Sequence, residues 1–115
     1  MIHVDVFLRG RTVGTYRVDA RQACVGRDAD NQVRLEGLGV SAHHCVIART
    51  PEGGWAIEDL SGGWTQLDGA IVRGRRSAAN GARVGVGVFE LTYAWVEPRP
   101  TPDAPATATA EGTPS

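Results

Sequence analysis

Lysine is absent from this sequence of 115 residues, because all twelve of its basic residues are arginine. Eleven arginines and ten acidic residues lie before position 97, so this part of the chain has a net charge of +1. The residues from 97 onwards carry one arginine and three acidic residues, which give a net charge of −2. Proteins that bind nucleic acid usually present a strongly basic surface. Since neither part is basic in this way, we predict no nucleic-acid partner.

Long apolar runs and cysteines are also scarce. No run approaches the roughly 20 apolar residues of a membrane-spanning helix, and the first residues alternate instead of forming the apolar block of a secretory signal. The two cysteines, Cys24 and Cys45, are too few for a disulfide scaffold. We expect both to be buried free thiols. Together these absences predict a cytoplasmic protein without membrane insertion.

The last nineteen residues, 97–115, differ in composition from the rest of the chain. They contain five of the six prolines and none of Ile, Leu, Val, Phe, Tyr or Trp. Such a segment cannot bury enough apolar surface to offset the entropy lost on ordering. We therefore predict one domain over residues 1–96 and a disordered Pro/Thr/Ala-rich tail or linker over 97–115.

Short alternating segments separated by glycine make up most of the predicted domain. Branched apolar residues recur at every second position, and glycine occurs fifteen times in the chain. This period is typical of β-strands, and no segment has the spacing of an amphipathic helix. We predict strands over 2–8, 12–18, 23–25, 32–35, 43–49, 55–60, 65–67, 70–72, 83–86 and 88–96. About ten short strands with turn signals between them indicate an all-β, antiparallel sandwich or barrel.

Three loops are candidates for function, since partner-binding residues usually lie on loops at one end of such a scaffold. They cover residues 25–31, 36–44 and 59–65. Trp64 lies in the third loop, where an aromatic side chain could contact a partner. Trp55 and Trp95 fall on alternating segments, and we expect them in or against the core.

An ordered series of motifs resembles the forkhead-associated (FHA) domain. In chain order these motifs are Gly26-Arg27, Ser41-x-x-His44, Trp55-x-Ile57-x-Asp59-Leu60, Asp68-Gly69 and Asn80-Gly81-Ala82-Arg83-Val84. The resemblance extends over roughly residues 4–96. It implies a β-sandwich of about eleven short strands that binds phosphothreonine peptides through the loops at one end. It also implies an interaction module without enzymatic activity or cofactor.

The resemblance assigns a role to each matching residue. Arg27 matches the arginine that binds phosphate, and Ser41 matches the serine that donates to a phosphate oxygen. His44 matches the histidine that braces the loops from behind. Gly26 permits the tight turn before Arg27, and Asp59 would anchor the strand that leads into the third loop.

Two positions depart from the family's pattern. The residue after the pocket serine is usually Arg or Lys, and here it is Ala42, so one basic group is missing. The third loop usually reads Ser-x-Asn-Gly, and the asparagine holds the peptide backbone. Here the loop is Ser61-Gly62-Gly63-Trp64-Thr65, and we predict that Gly62, Gly63, Trp64 and Thr65 line the peptide site together with Ala42. Four other side chains are candidates to replace the lost contacts: Arg34, His43, Gln66 and Arg73.

These features predict a module that binds a phosphothreonine-containing protein or peptide. One candidate ligand is the chain's own tail, which contains Thr101, Thr107, Thr109 and Thr113. The alternative is a degenerate FHA domain that acts as a phosphate-independent structural or oligomerisation module through strand edges or Trp64. We expect a monomer or a weak homo-oligomer.

The run His43-His44-Cys45 also suggests a zinc site, with Cys24 or His3 as further ligands. Successive strand residues point to opposite faces, so His43 and Cys45 could converge whereas His44 could not join them. Because the sequence holds no second close-spaced ligand pair, we predict no metal site.

A catalytic triad can be assembled from residue types alone, as Ser41, His44 and Asp59. The sequence supplies neither the nucleophile-elbow motif nor an oxyanion site that such a triad needs. We therefore predict no catalytic residues.

Overall fold

The computed structural model describes residues 1–97 of the chain, which form eleven β-strands and no helix. Apart from Glu97, the predicted tail lies outside the described residues. In chain order the strands are β1 Ile2–Leu8, β2 Arg11–Val18, β3 Gln22–Gly26, β4 Val33–Arg34, β5 Cys45–Arg49, β6 Trp55–Asp59, β7 Thr65–Leu67, β8 Ala70–Ile71, β9 Arg75–Ala78, β10 Val84–Val86 and β11 Phe89–Trp95. Nothing in this part of the chain is a helix long and apolar enough to cross a lipid bilayer.

The strands form two sheets that enclose the core. The six-stranded sheet has the order β2-β1-β11-β10-β7-β8, and the five-stranded sheet has the order β4-β3-β5-β6-β9. Neighbouring strands are antiparallel except β3 and β4, which run parallel with Val25 opposite Val33. The predicted all-β sandwich of about eleven strands is confirmed, and this parallel pair is its one departure from antiparallel pairing among residues 1–97.

Most strands lie where the alternation predicts them. β1 and β7 have the predicted bounds, and the others differ at their ends by one or two residues. The strand predicted from His43 begins only at Cys45, because His43 stays exposed in the preceding loop. The prediction missed β9, whose Arg-Arg-Ser-Ala sequence has no apolar alternation. β9 is an edge strand that pairs with β6 through backbone hydrogen bonds.

The core is built from the apolar positions of the alternation. In β1 these are Ile2, Val4 and Val6, and the facing sheet contributes Ile47 and Ile57, all at most 1% exposed. Burying one such side chain stabilises the fold by roughly 1.5–3 kcal/mol relative to leaving it exposed. The packed core therefore fixes the positions of the strand ends, from which the loops project.

One end of the sandwich is closed by stacked arginine and tryptophan side chains. Trp55 is buried and packs on Tyr93, with 4.6 Å between ring centroids. The Arg49 guanidinium lies 5.1 Å from the Trp55 ring and 5.4 Å from the Trp95 ring, and Arg21 lies 5.5 Å from Trp95. We call Arg21, Arg49, Trp55 and Trp95 the Arg–Trp stack. The expectation that both tryptophans lie in or against the core is confirmed.

The two cysteines are free thiols that differ in exposure. Cys45 is fully buried, and burial raises the pKa of its thiol to about 12. Cys24 is only half-buried because it alternates along β3 with Ala23 and Val25, which face the core. The prediction of a buried thiol is therefore confirmed for Cys45 and corrected for Cys24.

Candidate functional site

Four loops lie together at the end of the sandwich opposite the Arg–Trp stack. Because neighbouring strands are antiparallel, β3 and β6 end, and β5 and β9 begin, at this end of the five-stranded sheet. The loops are β3–β4 (27–32), β4–β5 (35–44), β6–β7 (60–64) and β8–β9 (72–74). We call this region the loop end, and every residue that the motifs single out for the site lies in it or borders it.

The first two loops lie side by side where β3 ends at Gly26. The backbone N–H groups of Arg27 and Asp28 donate hydrogen bonds to the carbonyl oxygens of Ser41 and Ala42, at 2.9 and 3.1 Å. A Cβ atom at Gly26 would lie only 2.3 Å from the Ala42 carbonyl oxygen. Glycine is therefore needed for the two loops to approach each other this closely.

Asn31 reinforces the same junction from inside. Its side chain is 6% exposed, and Nδ2 donates to the carbonyl oxygens of Asp28 and Ala42 at 2.8 and 2.9 Å. Its Oδ1 has no hydrogen-bond partner among residues 1–97. This role of Asn31 could not be predicted from the sequence, because Asn31 looks like any polar loop residue until the fold places it against Ala42.

Arg27 extends from the junction over the β4–β5 loop. Its side chain is exposed, and one guanidinium nitrogen donates to the Val40 carbonyl oxygen at 3.0 Å. No carboxylate of the described chain lies within 4 Å of this guanidinium, although Asp28 and Asp30 follow it closely in sequence. The remaining N–H groups of Arg27 are therefore available to an anion from outside.

Ser41 and Ala42 lie beside Arg27 in the β4–β5 loop. Both residues are half-buried, and the Ser41 hydroxyl makes no hydrogen bond to any other residue of 1–97. Ala42 contributes its carbonyl oxygen to the loop junction, while its methyl side chain brings no charge. The junction thus presents one guanidinium and one hydroxyl to solvent.

His44 connects the β4–β5 loop to the β6–β7 loop. The imidazole is fully buried, its Nδ1 accepts from the Ser41 N–H at 3.1 Å, and its Nε2 lies 3.1 Å from the Trp64 carbonyl oxygen. Because Nδ1 accepts, Nε2 must donate, and the ring is the neutral Nε2–H tautomer. Burial lowers the pKa of His44, although the Trp64 carbonyl and the Asp59 charge act in the opposite direction. The neutral imidazole of His44 therefore holds both loops.

Asp59, the last residue of β6, organises the β6–β7 loop. One carboxylate oxygen accepts from the Ser61 N–H at 3.0 Å and the Thr65 hydroxyl at 2.7 Å, and the other accepts from the Gly63 N–H at 2.7 Å. Burial by itself raises the pKa of Asp59, but the hydrogen bonds from Ser61, Thr65 and Gly63 outweigh it and lower the pKa to about 2. The loop is thus built around a carboxylate that stays charged except in strong acid.

The remaining residues of the third loop differ in what they present to solvent. Gly62 and Gly63 have φ angles of 84° and 109°, which favour glycine, and a Cβ on either would meet no other atom within 4 Å. The Trp64 side chain is 73% exposed. Thr65 is fully buried with its hydroxyl on Asp59, so the predicted ligand contact is corrected to a supporting role for this side chain.

Three of the side chains considered as replacements for the missing contacts border the site. Arg34 donates through Nε to the Arg27 carbonyl oxygen at 3.0 Å, and its guanidinium pairs with Glu36 at 2.8 Å. Gln66 is exposed on β7, and Arg73 is exposed in the β8–β9 loop. Arg34 is therefore engaged within the domain, whereas Gln66 and Arg73 face solvent.

The fourth replacement candidate, His43, belongs to an exposed cluster with Asp28 and Asp30. One ligand-type atom from each of the three lies within 4.8 Å of the others. His43 Nε2 is 3.0 Å from an Asp30 carboxylate oxygen, and this hydrogen bond and the charge of Asp30 raise the pKa of His43. The zinc set considered from the sequence does not form here, because Cys45 is buried while His43 faces solvent.

An apolar groove adjoins the β6–β7 loop. Its exposed walls are Leu38, Trp64 and Val88, with 82%, 73% and 46% of their surfaces accessible. The Val88 N–H donates to the Leu38 carbonyl oxygen at 3.2 Å, which joins the turn between β10 and β11 to the β4–β5 loop. Leu38 and Val88 were not predicted as functional residues, and the available signal in the sequence was an apolar residue beside glycine in a turn.

Comparison with known sequences identifies the class of this domain. The sequence pattern of the FHA domain family matches residues 23–87, which is more than half of the chain. The chain therefore belongs to the FHA domain family, whose members are generally phosphothreonine-binding interaction modules and not enzymes. The resemblance seen in the motifs is confirmed. No curated protein matches this sequence.

Solved structures with the same fold include two FHA domains and the protein EmbR. The FHA domain of the CT664 protein from Chlamydia trachomatis has a TM-score of 0.71 and 17% identity, covering 84% of this chain and 98% of that chain. Mycobacterium tuberculosis EmbR, in complex with a low affinity phosphopeptide, has a TM-score of 0.66 and 24% identity, covering 84% and 26%. The FhaA FHA domain, complexed with the intracellular domain of Rv3910, has a TM-score of 0.65 and 26% identity, covering 82% and 100%. At under 25% identity, the first two likenesses establish the fold alone.

Proposed function

We propose that this FHA domain binds a phosphothreonine-containing segment of a partner protein at the loop end, with Arg27 and Ser41 at the phosphate. The observation that carries the proposal is the 2.9 Å hydrogen bond from the Arg27 N–H to the Ser41 carbonyl oxygen. Together with the 3.0 Å bond from the Arg27 guanidinium to the Val40 carbonyl oxygen, it keeps a guanidinium without a carboxylate partner close to the residue whose hydroxyl has no hydrogen-bond partner among residues 1–97. A phosphothreonine offers about −1.5 to −2 charges and three acceptor oxygens to such donors.

The rest of the site fits a peptide with few specific polar contacts. Gly62 and Gly63 leave open space beside the phosphate site, and Trp64 offers an exposed aromatic surface. Ala42 supplies no charge where the family usually has a basic residue. Losing one charged hydrogen bond of about 1.5–3 kcal/mol weakens binding by roughly ten- to hundredfold. We therefore expect affinities lower than those of family members that keep this residue.

The relatives support the proposal by analogy. EmbR was solved with a phosphopeptide and the FhaA domain with a protein domain as its ligand. We propose in addition a folded unit over residues 1–96 that needs no cofactor, catalyses no reaction and meets its partner in the cytoplasm. The recognised partner would be a protein phosphorylated on threonine.

A phosphothreonine peptide library followed by titration of the best binders tests the proposal. We expect Arg27→Ala to weaken binding at least tenfold, because it removes the charged donor at the phosphate. Arg17→Ala is the matched control, since Arg17 is an exposed arginine on β2 near the opposite end. Amide NMR shifts should concentrate at residues 26–41. Binding that persists without the phosphate group, or in Arg27→Ala, contradicts the proposal.

The chain's own tail is one candidate ligand that the same titration can examine. It would be tethered near the domain and would reach the site at a high effective concentration. A synthetic peptide of residues 97–115 phosphorylated at Thr101, Thr107, Thr109 or Thr113 should then bind with the same dependence on Arg27. If none of the four phosphorylated peptides binds while library peptides do, the ligand belongs to another protein.

The apolar groove favours a second candidate function, phosphate-independent association. Leu38, Trp64 and Val88 expose apolar side chains around one groove, and a grouped apolar surface of this kind can mark a protein-interaction site. On this alternative the domain would join a partner or a second copy of itself through the groove. Light scattering would then detect a concentration-dependent oligomer that Trp64→Ala abolishes, whereas Arg27→Ala would leave it unchanged.

A further inference from the structure

A second group of arginines lies at the loop end, on the side away from Arg27. Arg73 lies in the β8–β9 loop, Arg75 and Arg76 begin β9, and all three are exposed. We call these three residues the basic flank. The Asp59 N–H donates to the Gly74 carbonyl oxygen at 2.7 Å, so the basic flank is attached directly to the third recognition loop.

Little of this positive charge is neutralised within the domain. The nearest carboxylate is Glu58, which lies 3.9 Å from Arg75 on an exposed part of the sheet. Arg73 and Arg76 have no carboxylate within 4 Å in the described part of the chain. Two of the three guanidinium groups of the basic flank, those of Arg73 and Arg76, are therefore unpaired within the described part of the chain.

The opposite side of the loop end has the reverse charge. Asp28 and Asp30 are exposed on the β3–β4 loop. His43 partly compensates Asp30 through their hydrogen bond at 3.0 Å, whereas Asp28 has no cationic partner within 4 Å among residues 1–97. A ligand lying across the loop end thus meets acidic groups at the β3 side and basic groups at the β9 side.

The strand order sets the distance between Arg27 and the basic flank. Arg27 follows β3, and the order β3-β5-β6-β9 places three inter-strand spacings between that point and β9. At about 4.8 Å each, these spacings amount to roughly 14 Å. An extended peptide advances about 3.3 Å per residue, so it crosses this distance in about four residues.

We infer that the site selects phosphothreonine peptides that carry Asp or Glu about three to five residues from the phosphothreonine, on one side only. The inference rests on the proposed function, because it takes the phosphate at Arg27 as its fixed point. Acidic side chains of the peptide segment that extends from the phosphothreonine towards β9 would meet the basic flank. On the other side they would meet Asp28, whose charge repels them.

Three phosphothreonine peptides test this selection: one with neutral flanks, one with acidic residues N-terminal to the phosphothreonine and one with them C-terminal. We expect one acidic peptide to bind about three- to tenfold more tightly than the neutral peptide, and the other to bind no more tightly than it. The gain should shrink in high salt, which screens exposed charges. Equal gains from both acidic peptides, or no gain from either, would overturn the inference.

Arg73→Glu and Arg17→Glu form a matched pair of variants with the same change in charge. Arg73→Glu should remove the gain of the favoured acidic peptide and leave the affinity of the neutral peptide within about twofold. Arg17→Glu, distant on β2, should keep the gain. An equal loss in both variants would mean a general charge effect and would overturn the inference. If the neutral phosphopeptide fails to bind, or binds Arg27→Ala equally well, the proposed function itself is wrong.

Discussion

The two ends of the sandwich are closed by different interactions. At the loop end, the buried side chains of Asn31 and His44 and the half-buried side chain of Asp59 hold the loops through hydrogen bonds to backbone groups. At the other end, Arg49 and Arg21 lie over tryptophan rings at 5.1–5.5 Å. The hydrogen bonds of the loop end hold the loop backbones from the side that faces the core. The Arg–Trp stack instead covers the other end of the core with side chains.

This difference supports our proposal that the loop end is the binding surface. Hydrogen bonds made from behind fix the loop backbones and leave the outward groups of Arg27, Ser41 and Trp64 exposed or unpaired. Preorganised groups bind a ligand at a lower entropic cost than mobile ones. In the Arg–Trp stack, the cationic groups already have aromatic partners in the domain.

The largest effect is expected from Gly26→Ala, which disrupts the loop end. The added Cβ would lie 2.3 Å from the Ala42 carbonyl oxygen and 2.9 Å from Asn31 Nδ2, so the first two loops must separate. We expect the free energy of unfolding to fall by roughly 3 kcal/mol or more, with loss of phosphopeptide binding. Urea unfolding followed by tryptophan fluorescence, and peptide titration, measure the two effects.

Gly10→Ala is the control for this substitution. Gly10 has a φ of +81°, and a Cβ there would have no neighbour within 4 Å. This variant should lose only about 1 kcal/mol from backbone strain and should keep its affinity. Similar losses in Gly10→Ala and Gly26→Ala would show that the contact between the two loops is unimportant.

A smaller effect is expected from Trp95→Ala, which disrupts only the Arg–Trp stack. Trp95 is half-buried and contacts both Arg21 and Arg49, so its removal should cost about 2 kcal/mol of unfolding free energy. The affinity for phosphopeptide should stay within about twofold, because the length of β11 separates Trp95 from the loop end by roughly 20 Å. A clear loss of affinity in the folded variant would show that the two ends are coupled.

The sequence predicts the strands well where one face meets the core and the other does not. β1 and β11 alternate for this reason, and their bounds lie within one residue of the prediction. β9 could not be found in this way, because it is held by backbone pairing to β6 while its arginines face solvent. Backbone hydrogen bonds do not depend on side-chain type, so edge strands leave little trace in the sequence.

The residues of the candidate site also fall into two groups, those that a sequence motif marks and those that only the folded loops bring together. Arg27, Ser41 and His44 are recognisable because a family motif fixes their types and spacing. The contributions of Asn31 and Leu38 could not be predicted, because they arise from contacts with other loops. Asn31 bonds to Ala42, eleven residues away, and Leu38 bonds to Val88 across the sandwich. Such contacts depend on how the core brings the loops together and not on a local pattern.

The smallest effect is a difference in pH dependence between pH 7.5 and 5.5, which is expected from two histidines of the loop end. Burial lowers the pKa of His44 below its ordinary value of 6.5, so the unfolded chain binds this proton more readily than the folded domain does. The stability that neutral His44 provides is complete above pH 6.5 and is lost as the pH falls through its lowered pKa. His43 has the opposite sign, because Asp30 raises its pKa. Its contribution is present below pH 6.5 and is lost as the pH rises through the raised pKa.

His43→Ala removes that opposing contribution and provides the background for the test. In this background, His44→Gln keeps an acceptor and a donor at the position but does not titrate. Between pH 7.5 and 5.5, unfolding free energy should fall more steeply with His44 than with Gln, by at most about 1.4 kcal/mol per pH unit. Adding Trp95→Ala to His43→Ala should lower the stability at every pH without changing the slope, because the Arg–Trp stack contains no histidine. Parallel profiles with and without His44 would contradict the neutral tautomer that joins the two loops.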